Sequence, residues 1–250
     1  MSLDFEELDY RQTRLGELIL RRRRDPLLGG PAIYEVKLND EYLMSSAFTA
    51  GETALADLGL GALTGPEAGP CAGAVTALDV LVAGLGLGYT AAAALRHEGV
   101  RSLLVVDALA EVIEWHERAL IPLGAELAAD PRCRFAQADF FSCVRGQGFD
   151  PATSGQRYHA ILLDIDHSPG HWLNPANAGF YESRGLSDLE RHLHPGGVFA
   201  MWSNDEPDGE FLVRLTGTFA RACAHPVEFD NPYTGNDASC TIYVAHTARR

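Results

Sequence analysis

Hydrophobic and polar positions in the first quarter of the chain follow a short period. Between residues 10 and 46, brief apolar runs alternate with polar positions and are separated by turn residues, which predicts β structure. Residues 47–63 predict a short helix that ends at a glycine, and residues 64–74, rich in Gly and Pro, predict a linker. We therefore expect an N-terminal β element with one short helix over residues 1–63.

From residue 75 to residue 250 the pattern changes to an alternation of strands and helices. The predicted strands are 79–83, 102–106, 134–136, 160–163, 198–202 and two segments near 227–229 and 241–245, and the predicted helices are 90–97, 110–120, 185–193 and 210–222. Strands and helices that alternate at this spacing indicate a doubly wound, mostly parallel sheet. The sequence thus predicts an α/β fold with a Rossmann-like domain over residues 75–250.

Composition narrows the class of partner. Hydrophobic residues make up 46% of the 250 positions, enough for a sizeable core, and the net charge of -14 disfavours nucleic acid and anionic membranes. The apolar stretch 77–95 contains glycines and one charge, so it reads as strand, turn and helix rather than as a membrane span. The N-terminus is charged, unlike a signal peptide, and the five scattered cysteines indicate free thiols in a reducing compartment. We expect a cytoplasmic protein that acts on a small molecule.

A glycine-rich turn carries the first chemical signal. Gly84, Gly86 and Gly88 follow an apolar strand and precede a helix, where glycines allow a tight turn and the close approach of a ligand. Asp107 ends the next strand, at the spacing expected for a carboxylate that accepts both ribose hydroxyls. The alternative is that Asp107 caps the following helix. The pattern favours a nucleoside site.

Acids also end the third and fourth predicted strands. Asp139 is placed to accept the adenine amino group, with Phe140 beside it to pack on the ring, and Asp164 ends the fourth strand. In open α/β sheets ligands bind beyond these strand ends. NAD is the competing ligand for the glycine turn. The acids at successive strand ends favour a single nucleoside, as does the absence of the further glycine that a dinucleotide usually requires.

These segments resemble the spermidine synthase family. The resemblance runs from about residue 10 to about residue 245, and the best segments are VLVAGLGLGYT (80–90), DPRCRFAQAD (130–139), YHAILLD (158–164) and LHPGGV (193–198). It implies a methyltransferase-like Rossmann domain behind a small β domain. It also implies a site for decarboxylated S-adenosylmethionine, a site for a polyamine or other small amine, and a homodimer.

The resemblance assigns roles residue by residue and also shows departures. It implies that the three glycines, Asp107 and Asp139 bind the donor and that Asp164 is the catalytic base. The acid that holds the donor's aminopropyl amine is replaced by Leu87, and Gly51 replaces the histidine of a Tyr-His-Glu segment that here keeps only its acid, Glu52. The predicted substrate-binding residues are Glu52, Asp166, His167 and Trp172, with Asp166 or His167 standing for the family's second loop acid and Trp172 as either a lid or a packed aromatic.

Three hypotheses follow. Transfer requires a neutral acceptor amine, so a carboxylate such as Asp164 has to accept its proton, with Asp166 or His167 as helper. Leu87 removes a negative charge that would repel the carboxylate of intact S-adenosylmethionine. The chain is therefore an aminopropyltransferase-like enzyme, a small-molecule methyltransferase that uses S-adenosylmethionine, or a nucleoside-binding protein without catalysis. We expect no metal, because Pro169 and Gly170 prevent a helical arrangement of His167 and His171.

Overall fold

The computed structural model describes residues 5–29, 32–64, 77–150 and 152–249. Apart from Thr64, the predicted linker at 64–74 lies outside the described residues. Four antiparallel strands form a first sheet in chain order: β1 (Phe5–Thr13), β2 (Gly16–Arg23), β3 (Ile33–Leu38) and β4 (Glu41–Ser45). Leu18 and Leu20 of β2 and Val36 and Leu38 of β3 belong to a buried hydrophobic cluster, so one face of this sheet packs on the core.

A second sheet holds the other seven strands of the described residues. They are β5 (Leu78–Ala83), β6 (Val100–Asp107), β7 (Cys133–Gln137), β8 (Tyr158–Leu163), β9 (Leu193–Ser203), β10 (Arg221–Asn231) and β11 (Asn236–His246), in the order β10-β11-β9-β8-β5-β6-β7. Neighbours are parallel from β9 to β7, and β11 is antiparallel to both β9 and β10. The predicted α/β class and N-terminal β element are confirmed.

Helices cover both faces of the second sheet. They are α1 (Ala50–Thr64), α2 (Tyr89–Leu95), α3 (Ala110–Glu117), α4 (Gly124–Ala129), α5 (Phe140–Arg145), α6 (Ser183–Glu190) and α7 (Gly209–Thr218), with a 3-10 turn at Pro175–Phe180. Along β5, Val80 and Val82 belong to one buried cluster, whereas Leu81 and Ala83 belong to the other. Burial on both faces explains the continuous apolar runs of the central strands. In the described part of the chain, no helix combines the length and apolarity needed to cross a membrane.

The connectivity creates a switch point beside β5. The chain moves from β5 to β6 and β7 on one side, and β8 and β9 lie on the other, so a crevice opens at the carboxyl ends of β5 and β8. Backbone hydrogen bonds fix these ends: the Gly84 N–H donates to the Val106 carbonyl at 2.9 Å, and the Asp164 N–H donates to the Ala83 carbonyl at 2.8 Å. The glycine loop and Asp164 therefore lie next to each other at the carboxyl edge of the second sheet.

All four helices predicted after residue 75 end earlier than the sequence indicated: the helices predicted at 90–97 and 110–120 end at Leu95 and Glu117. The other two early ends have a visible structural cause. The predicted helix 185–193 ends at Glu190, and the residues predicted to turn at 194–197 form a bulge within β9, because the pairing with β8 jumps from Leu193 to Val198. The predicted helix 210–222 ends at Thr218. Phe219 is extended and its ring stacks on Phe199, so burial of this ring ends the helix before β10 begins.

Candidate active site

The glycine loop is held in a conformation that side chains rarely adopt. Gly84, Gly86 and Gly88 all have positive φ, of 95°, 48° and 91°. A Cβ on Gly84 would lie 2.0 Å from the carbonyl oxygen of Asp164, so only glycine lets the two strand ends approach. A Cβ on Gly86 would meet the sulfur of Met44, which places β4 of the first sheet against the loop.

Asp107 links the glycine loop to the start of α3. Its Oδ2 accepts a hydrogen bond from the Leu85 N–H at 3.0 Å, and its Oδ1 accepts one from the Leu109 N–H at 2.8 Å. Burial raises the pKa of Asp107, and backbone hydrogen bonds from Leu109, Leu85 and Gly86 oppose that rise. The N-cap of α3 is Leu109, so Asp107 holds the loop ahead of the helix rather than occupying the cap position.

Asp139 and Phe140 take positions that differ from the expectation for an adenine site. Asp139 is exposed and is the N-cap of α5, where Oδ1 accepts hydrogen bonds from the Phe141 and Ser142 N–H groups at 3.1 and 3.3 Å. The ring of Phe140 is only 2% exposed and stacks on Phe149, because its helix faces the second buried cluster. The adenine role of Asp139 stays a prediction, whereas the buried ring of Phe140 is not presented to a ligand.

A cavity of about 350 Å³ opens beside the glycine loop. Its walls come from β4, the start of α1, the glycine loop, the ends of β8 and β9, and the β10–β11 hairpin. The lining residues are Leu43, Met44, Ser45, Phe48, Ala50, Gly51, Glu52, Gly84, Leu85, Gly86, Leu87, Gly88, Tyr89, Asp164, Ile165, His167, Leu173, Trp202, Asn204, Phe229, Asn231, Ala238, Ser239 and Cys240. This size is suited to a small molecule. Asp107, Asp139 and Phe140 do not line it.

Two carboxyl groups face this cavity. The Thr90 hydroxyl donates a hydrogen bond to Asp164 Oδ2 at 2.7 Å. Burial raises the pKa of Asp164, and the Thr90 hydrogen bond partly opposes the rise. Burial and repulsion from Asp164 together raise the pKa of Glu52 far above the ordinary carboxyl range. The pair therefore keeps a proton near neutral pH.

Gly51 makes room for an aromatic wall that sequence reasoning missed. A Cβ on Gly51 would lie 2.5 Å from Trp202 Nε1 and 3.2 Å from Cys240 Sγ. The departure at Gly51 therefore coincides with the indole of Trp202 at the cavity wall. Burial raises the pKa of the Cys240 thiol, which keeps it neutral. The position of Trp202 at the end of the fifth parallel strand was the one signal that could have indicated it.

The loop after β8 carries the remaining predicted substrate-binding residues, Asp166, His167 and Trp172, and of these three His167 lines the cavity. Asp166 is 3% exposed, and its carboxylate accepts hydrogen bonds from the Leu173 N–H at 2.8 Å, the Asn177 side-chain amide at 3.1 Å and the Tyr181 hydroxyl at 2.8 Å. The carboxylate is therefore engaged within the loop and is absent from the cavity wall. This differs from the predicted contact between Asp166 and substrate.

Trp172 and His167 lie on the same loop in different surroundings. The Trp172 indole donates to the Pro169 carbonyl at 2.8 Å and does not line the cavity, whereas His167 does, with Nε2 3.8 Å from Glu41 Oε2. The rings of His167 and His171 lie 4.8 Å apart. Within the described ranges, no group of three or more His, Cys, Asp or Glu residues is arranged to hold a metal ion.

Comparisons with known proteins agree with this architecture. No family model matches the sequence. Two solved structures are similar, spermidine synthase from Thermotoga maritima and a spermidine synthase in complex with the transition-state analogue AdoDATO. Each has a TM-score of 0.70 and 16% identity, over 98% of this chain and 74% of the other.

A curated protein is related in sequence. The polyamine aminopropyltransferase of Prochlorococcus marinus (strain MIT 9313) is 32% identical over 124 residues, which is 50% of this chain and 40% of that protein. The match thus spans less than half the length of the relative. The chain's resemblance to the spermidine synthase and polyamine aminopropyltransferase family is confirmed, by the fold over almost its whole length and by sequence over half of it.

Proposed function

We propose that this protein transfers an alkyl group from an adenosyl-sulfonium donor to a small amine bound in the cavity. The observation that carries the proposal is the carboxyl pair of Glu52 and Asp164, which faces the same cavity as the glycine loop. A buried acidic pair favours a cationic ligand. The pair also lies at the switch point of the sheet, which is where open α/β sheets bind their ligands.

The donor would occupy the edge formed by the glycine loop and the ends of β6 and β7. Each carboxylate oxygen offers about two acceptor sites, and Asp107 accepts backbone hydrogen bonds from Leu85, Leu109 and Gly86, which is fewer than its two oxygens can accept. Capacity therefore remains for ribose hydroxyls. Asp139 is exposed and has similar spare capacity for an adenine amino group.

The carboxyl pair supplies the proton chemistry that the transfer needs. An amine arrives as its ammonium form and loses a proton to Asp164, whose raised pKa makes it a stronger base than an ordinary carboxylate. The nitrogen lone pair then forms a bond to the carbon beside the sulfonium. The carbon–sulfur bond breaks, and its electrons neutralise the sulfur as a thioether.

Methyl transfer is the second candidate, and Leu87 favours it. Leu87 is 3% exposed and lies in the cavity wall at the position where the family carries an acid. A neutral side chain there neither holds the aminopropyl ammonium nor repels the carboxylate of intact S-adenosylmethionine. The same base and the same displacement serve either donor, so product mass distinguishes them: a methyl or an aminopropyl group gained by the amine.

Asp164→Asn tests the proposal. With either donor and a panel of primary amines followed by mass spectrometry, we expect kcat/KM to fall by about 100-fold or more, as for loss of a general base, while the donor Kd stays within about threefold. The control is Asp205→Asn, an exposed acid outside the cavity wall, which should behave as wild type. Loss of donor binding in Asp164→Asn would assign Asp164 to the donor instead, and absence of turnover in the wild type would favour the non-catalytic hypothesis.

A further inference from the structure

The negative charge of the cavity is concentrated at one point. Glu52 and Asp164 are the acidic side chains among the described residues that line it, and no lysine or arginine lines it. Since the pair keeps one proton near neutrality, it presents a single negative charge. One ammonium group balances that charge.

The rest of the wall suits an apolar body. Phe48, Phe229 and Trp202 line the cavity, with the rings of Phe48 and Phe229 6.1 Å apart, and Leu43 and Ile165 extend the apolar surface. Aromatic faces attract an ammonium group and also bury hydrocarbon. A ligand with one cationic end and an apolar remainder fits both features.

A second ammonium group would find no buried partner among the described lining residues. The carboxylate of Asp166 is held by Leu173, Asn177 and Tyr181 and does not reach the cavity. A second cation would therefore find no second carboxylate in the cavity wall, and a desolvated charge without a partner of opposite charge is costly.

Two acids contact lining residues from outside the cavity wall, and both are exposed to solvent. The Glu41 side chain is 64% exposed and faces His167, and the exposed Glu206 accepts a hydrogen bond from the Ser239 hydroxyl at 3.0 Å. Solvent-exposed ion pairs contribute little, so a second ammonium group that reached these acids would add little affinity. Length alone would not make a diamine a better ligand.

From this distribution we infer that the acceptor is a primary monoamine with an apolar body, rather than a linear diamine. The inference rests on the proposed function and makes it specific: one ammonium at Glu52 and Asp164, and hydrocarbon or an aromatic ring against Phe48, Trp202 and Phe229.

Calorimetric titration with n-butylamine, 1,4-diaminobutane and 2-phenylethylamine tests the inference. We expect 1,4-diaminobutane to bind no more than about threefold tighter than n-butylamine, and 2-phenylethylamine to bind at least tenfold tighter than either. A diamine preference above threefold would overturn the inference and leave the amine acceptor intact. If none of the three amines binds, the amine acceptor of the proposed function fails together with it.

A gain-of-function variant sharpens the test. His167→Asp adds an acid at a second point of the cavity wall, away from Glu52 and Asp164. We expect its gain in affinity for 1,4-diaminobutane to be at least fivefold larger than its gain for n-butylamine. His171→Asp is the matched control, since the His171 ring lies 4.8 Å from that of His167 but outside the cavity wall. An unchanged diamine affinity in His167→Asp, or an equal gain in His171→Asp, would contradict the single-charge account.

Discussion

A carboxyl group becomes costly to ionise once it is buried beside another acid, and Glu52 is in that position. Its pKa is raised first by burial and then by repulsion from Asp164. In the unfolded chain Glu52 ionises at an ordinary pKa. Above that pH, folding either has to protonate Glu52 or has to bury its charge, and both lower the free energy of unfolding. Stability therefore falls as the pH rises from the unfolded pKa towards the folded one.

Glu52→Gln tests that cost. Between pH 7 and pH 8 we expect the variant to melt about 2–4 °C above the wild type, the shift that 1 kcal/mol produces in a protein of this size. Near pH 4.5 the folded Glu52 is protonated, so the difference in melting temperature should largely disappear. Glu41→Gln, at an exposed position, is the control. Calorimetric melting points at both pH values decide it, and a gain at pH 4.5 equal to that at pH 8 would contradict the linkage.

Sequence reasoning reached the residues that a motif carries and missed those that only the fold brings together. Gly84, Asp164 and Glu52 meet in the cavity as expected from their places in the family pattern. The fit of Trp202 over Gly51 joins positions about 150 residues apart, and no local pattern encodes such a contact.

At the scale of elements, the loop between β8 and α6 positions the cavity wall through one buried carboxylate. Asp166 accepts hydrogen bonds from three parts of this loop, at Leu173, Asn177 and Tyr181. It thereby orders the segment that carries His167 and Leu173 to the cavity. The sequence placed an acid here but could not show which way its side chain turns.

Asp166→Asn should loosen this loop. An amide nitrogen would face the donors of Asn177 and Tyr181, and a buried donor left unpaired costs about 1–3 kcal/mol. We expect a lower melting temperature and faster amide exchange over residues 165–181, measured by hydrogen exchange and mass spectrometry. Asp237→Asn, on the exposed part of β11, provides the comparison. Unchanged exchange in that segment would show that Asp166 does not hold the loop.

The ends of helices and strands are where tertiary packing overrides the local sequence pattern. The cores of the central strands were predicted because burial on both faces leaves a continuous apolar run. The ends of α6 and α7 were not predicted correctly, because the bulge of β9 and the stacking of Phe219 on Phe199 depend on contacts with neighbouring strands. The short helices α4 and α5 were missed for want of a long periodic pattern.

At the scale of the whole molecule, the cavity exists because two sheets meet. β4 of the first sheet covers the glycine loop, while α1 packs against β9 and β11 of the second sheet and delivers Glu52. The net charge of -14 adds a general attraction for cationic ligands. The homodimer and the cytoplasmic location implied at the level of sequence stay predictions.

Titration of the protein with S-adenosylmethionine, and separately with its decarboxylated form, tests the central claim most directly. The account predicts one molar equivalent bound. It further predicts that intact S-adenosylmethionine binds within about tenfold of the decarboxylated form, because Leu87 presents no charge to the donor's carboxylate. Binding of NAD with no response to either sulfonium compound would contradict the assignment of the glycine loop, Asp107 and Asp139 to an adenosyl-sulfonium donor.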